Sequence, residues 1–197
     1  MKNNNGKNKI QYTPHIPGTD FSRHREFQVL YESIPREARA EWVLRLTKEQ
    51  LKLADFKTGW TVAHDLAVYG TLTETFLASF DEETVRELLL LRNKKGWTVA
   101  HFLASRGTLP RRYVTMEEIL LAAEPGGWTV AHDLAQSGNF PEECAAKELF
   151  LVEDSSGWTV GQELAAGIAR YSKWIQLTRK ILGMPCGDGR IVADSVA

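Results

Sequence analysis

Gly59-Trp60-Thr61-Val62-Ala63-His64-Asp65-Leu66-Ala67 is the stretch that decides the reading of this chain, because the same nine letters return at residues 127–135. The phrase also stands at 96–104 with Phe102 in place of the aspartate, and at 157–165 with Gly161, Gln162 and Glu163 as replacements. A catalytic motif is normally written once. A phrase written four times is an architectural unit that packs on copies of itself.

The unit extends beyond the phrase. Thr47-x-x-Gln50, Thr84-x-x-Glu87 and Thr115-x-x-Glu118 each stand twelve residues before the glycines at 59, 96 and 127. That is capping-box spacing, and an apolar run follows each box, so a short helix is expected there. Ala145 replaces the cap in the last copy, where Glu148 to Leu151 keep the register. Thr61, Thr98, Thr129 and Thr159 are N-cap candidates for a second helix. Asp65, Asp133 and Glu163 fall in its first turn, where a negative charge suits the helix dipole. Gly70, Gly107 and Gly138 are placed to end it in the left-handed conformation. The phrase-opening glycines are spaced by 37, 31 and 30 residues. All the slack lies between the helix-ending glycine and the next cap, as stacked helix pairs with a tolerant loop require.

Around this array, residues 1–19 are rich in Asn, Lys, Pro and Gly and are expected to form a disordered tail. A helical segment is expected over 20–46, with Phe27, Leu30, Tyr31 and Ile34 on one face, Ser33 as a cap candidate after a break at Pro35, and Ala38, Trp42 and Leu46 on the next face. The repeat domain is expected over 47–184. It ends in a longer capping helix through Ile168, Tyr171, Ile175 and Leu182, closed by Gly183 and Pro185, and residues 185–197 follow as a tail.

Composition narrows the function classes. The chain has 197 residues and carries 24 basic and 25 acidic side chains, a formal net charge of -1, which gives no reason to expect nucleic acid or an anionic membrane as partner. Cys144 and Cys186 lack CxxC spacing and are expected to be reduced thiols. No segment approaches the ~18 apolar residues of a membrane span. MKNNNGKNKI has no apolar stretch behind its lysines, so a cytoplasmic protein is expected. Phosphate loops, G-x-S-x-G elbows and H-E-x-x-H zinc motifs are not found in the sequence.

Gly59-Trp60-Thr61-Val62-Ala63-His64-Asp65-Leu66-Ala67-Val68-Tyr69-Gly70 resembles the ankyrin repeat signature G-x-T-P-L-H-x-A-A-x-x-G at both glycines, the Thr, the His and one Ala. The copies at 96–107 and 127–138 match equally, and the resemblance spans about residues 47–182. It departs from the pattern at Val62, Val99, Val130 and Val160, which replace the proline of the first helical turn, and in a shortened hairpin before each glycine. It implies an all-α fold: a short ankyrin-like solenoid of helix-turn-helix repeats. It also implies a non-catalytic protein–protein interaction scaffold that binds another protein and uses no cofactor.

His64, His101 and His132 are expected to be structural. Packed helices lie ~8–10 Å apart, whereas two imidazoles on one zinc ion must have nitrogens within about 4 Å. In ankyrin proteins this histidine bonds the neighbouring repeat's turn. The residue between Gly and Thr is a surface position there, so Trp60, Trp97, Trp128 and Trp158 are candidate partner-binding anchors. Their identity in every copy favours packing across the turn over recognition, and both hold if one face is buried and the N–H edge is free. Phe102, Arg111, Arg112 and Tyr113 break the repeat pattern and join the candidate site. Two alternatives accompany this reading. One is an enzyme with a site where the N-terminal helices meet the first repeat, using His24 or His15. The other is an inhibitory protein with a single target.

Overall fold

A computed structural model of the protein describes residues 17–141 and 147–168. The expected C-terminal helix beyond Ile168, the tail at 185–197, most of the N-terminal tail, His15, Ala145, Cys144 and Cys186 lie outside the described residues.

The described chain is helix-rich and contains no strand. Its α-helices are α1 (His24–Ser33), α2 (Arg39–Val43), α3 (Lys48–Lys52), α4 (Val62–Tyr69), α5 (Glu74–Leu77), α6 (Glu82–Leu89), α7 (Val99–Ser105), α8 (Glu117–Leu120), α9 (Val130–Gln136), α10 (Lys147–Phe150) and α11 (Val160–Ile168), with 3-10 turns at Arg36–Ala38 and Arg111–Tyr113. No helix among the described residues is long and apolar enough to cross a membrane.

Each copy of the phrase builds the same local structure. The threonine before α4, α7 and α9 has extended backbone, and its hydroxyl accepts from the amide three residues on. This satisfies one of the amides that a helix start leaves unpaired. Gly70 ends α4 with φ 74°, and Thr71 N–H then closes back on the Leu66 carbonyl at 2.9 Å. A side chain in that left-handed well costs about 1–2 kcal/mol. Gly59, at φ 69°, meets a second constraint, since a Cβ there would lie 2.9 Å from the Lys94 amide nitrogen of the next copy. Before each phrase a single antiparallel bridge pins the turn: Ala54 to Thr61, Arg92 to Thr98, Ala123 to Thr129 and Glu153 to Thr159.

Thr47 caps α3 in the expected box with Gln50. The other two boxes form differently. Asp81 caps α6, accepting from the Thr84 amide at 2.8 Å and from the Thr84 hydroxyl at 2.6 Å, so Thr84 is the third residue of the turn rather than its cap. α8 starts at Glu117 after Met116, without a side-chain cap, and the Thr115 hydroxyl instead donates to the Arg112 carbonyl. The longest connector also holds an unforeseen helix, α5, capped by Thr73. Ser33 caps nothing; its hydroxyl donates to the Leu30 carbonyl, and Pro35 precedes the 3-10 turn.

The phrase helices pack in chain order, α4 on α7, α7 on α9 and α9 on α11. The shorter helices lie alongside: α3 contacts α4, α6 contacts α7, α8 contacts α9 and α10 contacts α11. Ala63, Ala67, Ala100, Ala104, Ala131 and Ala135 are buried, and these small side chains let neighbouring helices approach closely. Leu66, Leu103, Leu134 and Leu164 fill the space between them.

α1 packs on the first copy, where the Tyr31 hydroxyl donates to the Thr71 hydroxyl at 3.2 Å. Phe21, Phe27, Tyr31 and Trp42 form an aromatic cluster with ring centroids 5.4–6.3 Å apart. Tyr31 also stacks on Tyr69 of α4 at 5.0 Å and 7°. Pro17 and Thr19, assigned to the tail by composition, are held in place. Their carbonyls accept from the Trp42 indole and the Gln50 amide, and a backbone bonded this way to a buried indole is part of the fold.

Candidate functional site

The tryptophans sit where the turn meets the phrase helix, and all four are half-buried. Their main chains hold the turn. The Trp97, Trp128 and Trp158 amides donate to the side chains of Asn93, Glu124 and Asp154, four residues back, and Trp60 donates to Thr58. Each tryptophan carbonyl accepts from the amide that opens its turn, at 2.8–3.0 Å.

The same carbonyl receives a second contact from the preceding copy. His64 Nε2 lies 3.2 Å from the Trp97 carbonyl, His101 Nε2 3.3 Å from that of Trp128, and His132 Nε2 3.2 Å from that of Trp158. The other ring nitrogen fixes the tautomer. In each case Nδ1 stands 3.1–3.2 Å from the amide N–H of its own cap threonine, a group that can only donate. Nδ1 is therefore an unprotonated acceptor, and Nε2 carries the hydrogen that it donates to the next copy. Protonating the ring would set two donors face to face. Burial pushes His64 and His101 down to about 4, and lowers His132 as well. The three histidines join neighbouring copies, in line with their expected structural role.

The indole edges point to the carboxylates in the first helical turn. Trp60 Nε1 donates to Asp65 at 2.6 Å, Trp128 Nε1 to Asp133 at 2.9 Å and Trp158 Nε1 to Glu163 at 2.9 Å. The second copy lacks this pair because Phe102 stands where the acid would be. The Phe102 ring instead packs edge-on against Trp60 of the preceding copy at 4.7 Å and lies 6.3 Å from Trp97. The four indoles thus contribute to packing while each keeps some surface open.

The carboxylates differ in their surroundings. α1 covers Asp65: His24 Nε2 lies 2.9 Å from Oδ2, with both side chains under 10% exposed, and the Gln28 amide approaches the same oxygen at 3.4 Å. This is the junction named in the enzyme alternative, and His24 there ties α1 to the first copy. Asp133 is equally buried, at 4% exposure, and its Oδ2 has no hydrogen-bond partner among the described residues. Burial pushes its carboxyl up to about 7, against the lowering effect of the Trp128 indole. Sequence spacing gave no signal for this difference, because Asp65 and Asp133 occupy identical phrases.

Arg111, Arg112 and Tyr113 form the 3-10 turn before α8. Arg111 and Arg112 are exposed, whereas Tyr113 is fully buried under the Arg112 guanidinium, 4.7 Å from its ring centroid. Phe102 joins the indoles through its ring contacts with Trp60 and Trp97.

Compared with known proteins, the chain matches no protein-family model and no curated protein sequence.

Proposed function

We propose that the chain is a non-catalytic interaction scaffold, a short ankyrin-like solenoid that binds another protein through its repeat surface. The observation that carries this reading is the set of inter-copy bonds from His64, His101 and His132 to the next tryptophan carbonyl. The phrase's polar residues spend their hydrogen bonds on caps, turns and neighbouring copies. What each copy presents outward is a partly open indole on a rigid mount, a good anchor for a partner.

The buried pairing of His24 with Asp65 supports a structural task for the residue on which the enzyme alternative leans. The scaffold is read as acting in the cytoplasm, with a protein partner and without nucleic acid, membrane or cofactor.

The test is affinity capture with the full chain from a native lysate, identification of co-eluting proteins, and a repeat with Trp97→Ala. The reading expects a discrete partner whose recovery falls in the variant by more than its melting temperature accounts for. Recovery unchanged by Trp97→Ala and by Trp60→Ala would remove the tryptophans from the interface.

A further inference from the structure

The four turns that precede the tryptophans stand side by side as a ridge. The Lys94 amide donates to the Thr58 carbonyl at 2.8 Å, and Lys94 Nζ donates to the Phe56 carbonyl at 2.6 Å, joining the first two tips. Arg92 donates to the Ala123 carbonyl at 2.6 Å, joining the second to the third. The Ser155 amide donates to the Gly126 carbonyl at 2.7 Å, joining the third to the fourth.

Charge along this ridge is divided. The first two tips carry Lys57, Arg92, Lys94 and Lys95, against one carboxylate, Asp55, whose Oδ1 accepts from the Lys57 amide and from the amide and hydroxyl of Thr58. The last two tips carry Glu124, Glu153 and Asp154 and no base. Among the described residues none of the four bases is within ion-pair distance of a carboxylate, whereas Lys48 and Lys52 farther back both pair with Glu87. Phe56 stands at the basic end, 79% exposed, the most exposed large apolar side chain of the described chain. Lys57 Nζ lies 5.8 Å from its ring centroid.

Resting on the scaffold reading, we infer that the basic end of this ridge docks an acidic, partly apolar segment of a protein partner. Phe56 supplies the aromatic anchor, and Lys57, Lys94 and Lys95 supply the charge. An exposed aromatic side chain on a ridge end whose bases form no ion pair among the described residues is the arrangement that gives an acidic peptide both a contact to bury and a field to follow. The second copy is specialised for this. Asn93 stands where the other copies have a turn acid, and Phe102 where they have a helix acid, so its lysines face no carboxylate of their own copy at either place. A protein segment is favoured over nucleic acid or an anionic membrane because the acidic half of the same ridge would repel an extended polyanion that ran along it.

The test uses the full chain and a fluorescein-labelled Asp/Glu-rich peptide carrying two leucines, read by anisotropy at about 50 mM and about 200 mM salt. The inference expects saturable binding that weakens with salt. It expects a loss of about tenfold or more in Lys94→Glu/Lys95→Glu and a smaller loss in Phe56→Ser. These side chains are exposed, and circular dichroism checks that the fold is kept. The charge-reversed variant should gain affinity for a Lys/Arg-rich peptide. Absent binding, equal binding by the variants, or tighter binding of a single-stranded oligonucleotide or of phosphatidylserine vesicles would overturn the inference. If the peptide fails while the full chain still captures a protein partner in a Trp97-dependent way, the docking inference falls and the scaffold reading stands.

Discussion

His101→Gln is the substitution that probes the inter-copy joint most sharply, because the fourth copy already carries it. Gln162 keeps the cap in that copy, its side-chain Oε1 accepting from the Thr159 amide at 2.8 Å while its backbone N–H donates to the Thr159 hydroxyl at 3.0 Å. In His101→Gln the cap of α7 should survive, and the loss is the bond from Nε2 to the Trp128 carbonyl. That carbonyl keeps its bond from the Glu124 amide, so no acceptor is orphaned and the cost near pH 7.5 is about 1 kcal/mol. Acid reverses the balance. The folded His101 is held at about 4 against an ordinary 6.5. A depressed histidine contributes stability that is present above 6.5 and lost as pH falls toward 4. At pH 5 the loss is about 2 kcal/mol, from 1.36 kcal/mol for each unit between 6.5 and 5. Glutamine does not titrate, so the variant should be less stable than the parent by about 1 kcal/mol at pH 7.5 and more stable by about 1 kcal/mol at pH 5. Urea unfolding at the two pH values, followed by circular dichroism and tryptophan fluorescence, reads this crossover. Every other titrating group is common to both proteins and cancels. Parallel stability curves with no crossover would refute the buried, neutral tautomer and the joint built on it.

The carboxylates that accept from the indoles give two further expected outcomes. Asp133→Asn should stabilise the protein above pH 7. A carboxyl raised to about 7 contributes stability below its unfolded value of 3.8 and loses it as pH rises through 7. That difference amounts to about 4 kcal/mol at most, so urea midpoints at pH 8 should favour the variant, with the linked gap narrowing to about 2 kcal/mol at pH 5 and closing toward pH 4; a variant less stable at pH 8 contradicts this. Trp128→Phe removes an indole bond to a buried carboxylate and should cost about 2 kcal/mol, whereas Trp97→Phe loses no such bond and should cost well under 1 kcal/mol beyond the change in packing. Thermal unfolding of the pair checks the ordering.

The phrase made much of the local structure legible. Thr61, Thr98 and Thr129 cap their helices, and Gly70 ends α4 in the left-handed region, because caps and positive-φ glycines are dictated by neighbours within a few residues. The cap of α6 was misplaced for the same local reason. Asp81 and Thr84 are both good caps three residues apart, and the carboxylate, which takes two bonds from Thr84, wins. The rest depends on what lies across the gap between copies. Nothing in the phrase distinguishes Asp65, covered by His24, from Asp133, whose Oδ2 has no hydrogen-bond partner among the described residues. Phe102 likewise reads as an irregularity in its own copy, while its role is to fill space beside Trp60 of the preceding one. Whether the tryptophans pack or protrude had no single answer in sequence, since each indole packs by one edge and stays open on another. Pro17 and Thr19 looked like tail because their anchors, Trp42 and Gln50, lie more than twenty residues away.

Equivalent copies in register can lose one member and have its neighbours joined. Deleting residues 96–126, one full period, brings Lys95 to Gly127 and sets His64 opposite the Trp128 carbonyl. The expected product is a shorter protein that still unfolds cooperatively, at a lower midpoint, with helical circular dichroism per residue close to that of the parent. A deletion variant that has lost its helical signal, or that unfolds without a transition, would contradict it.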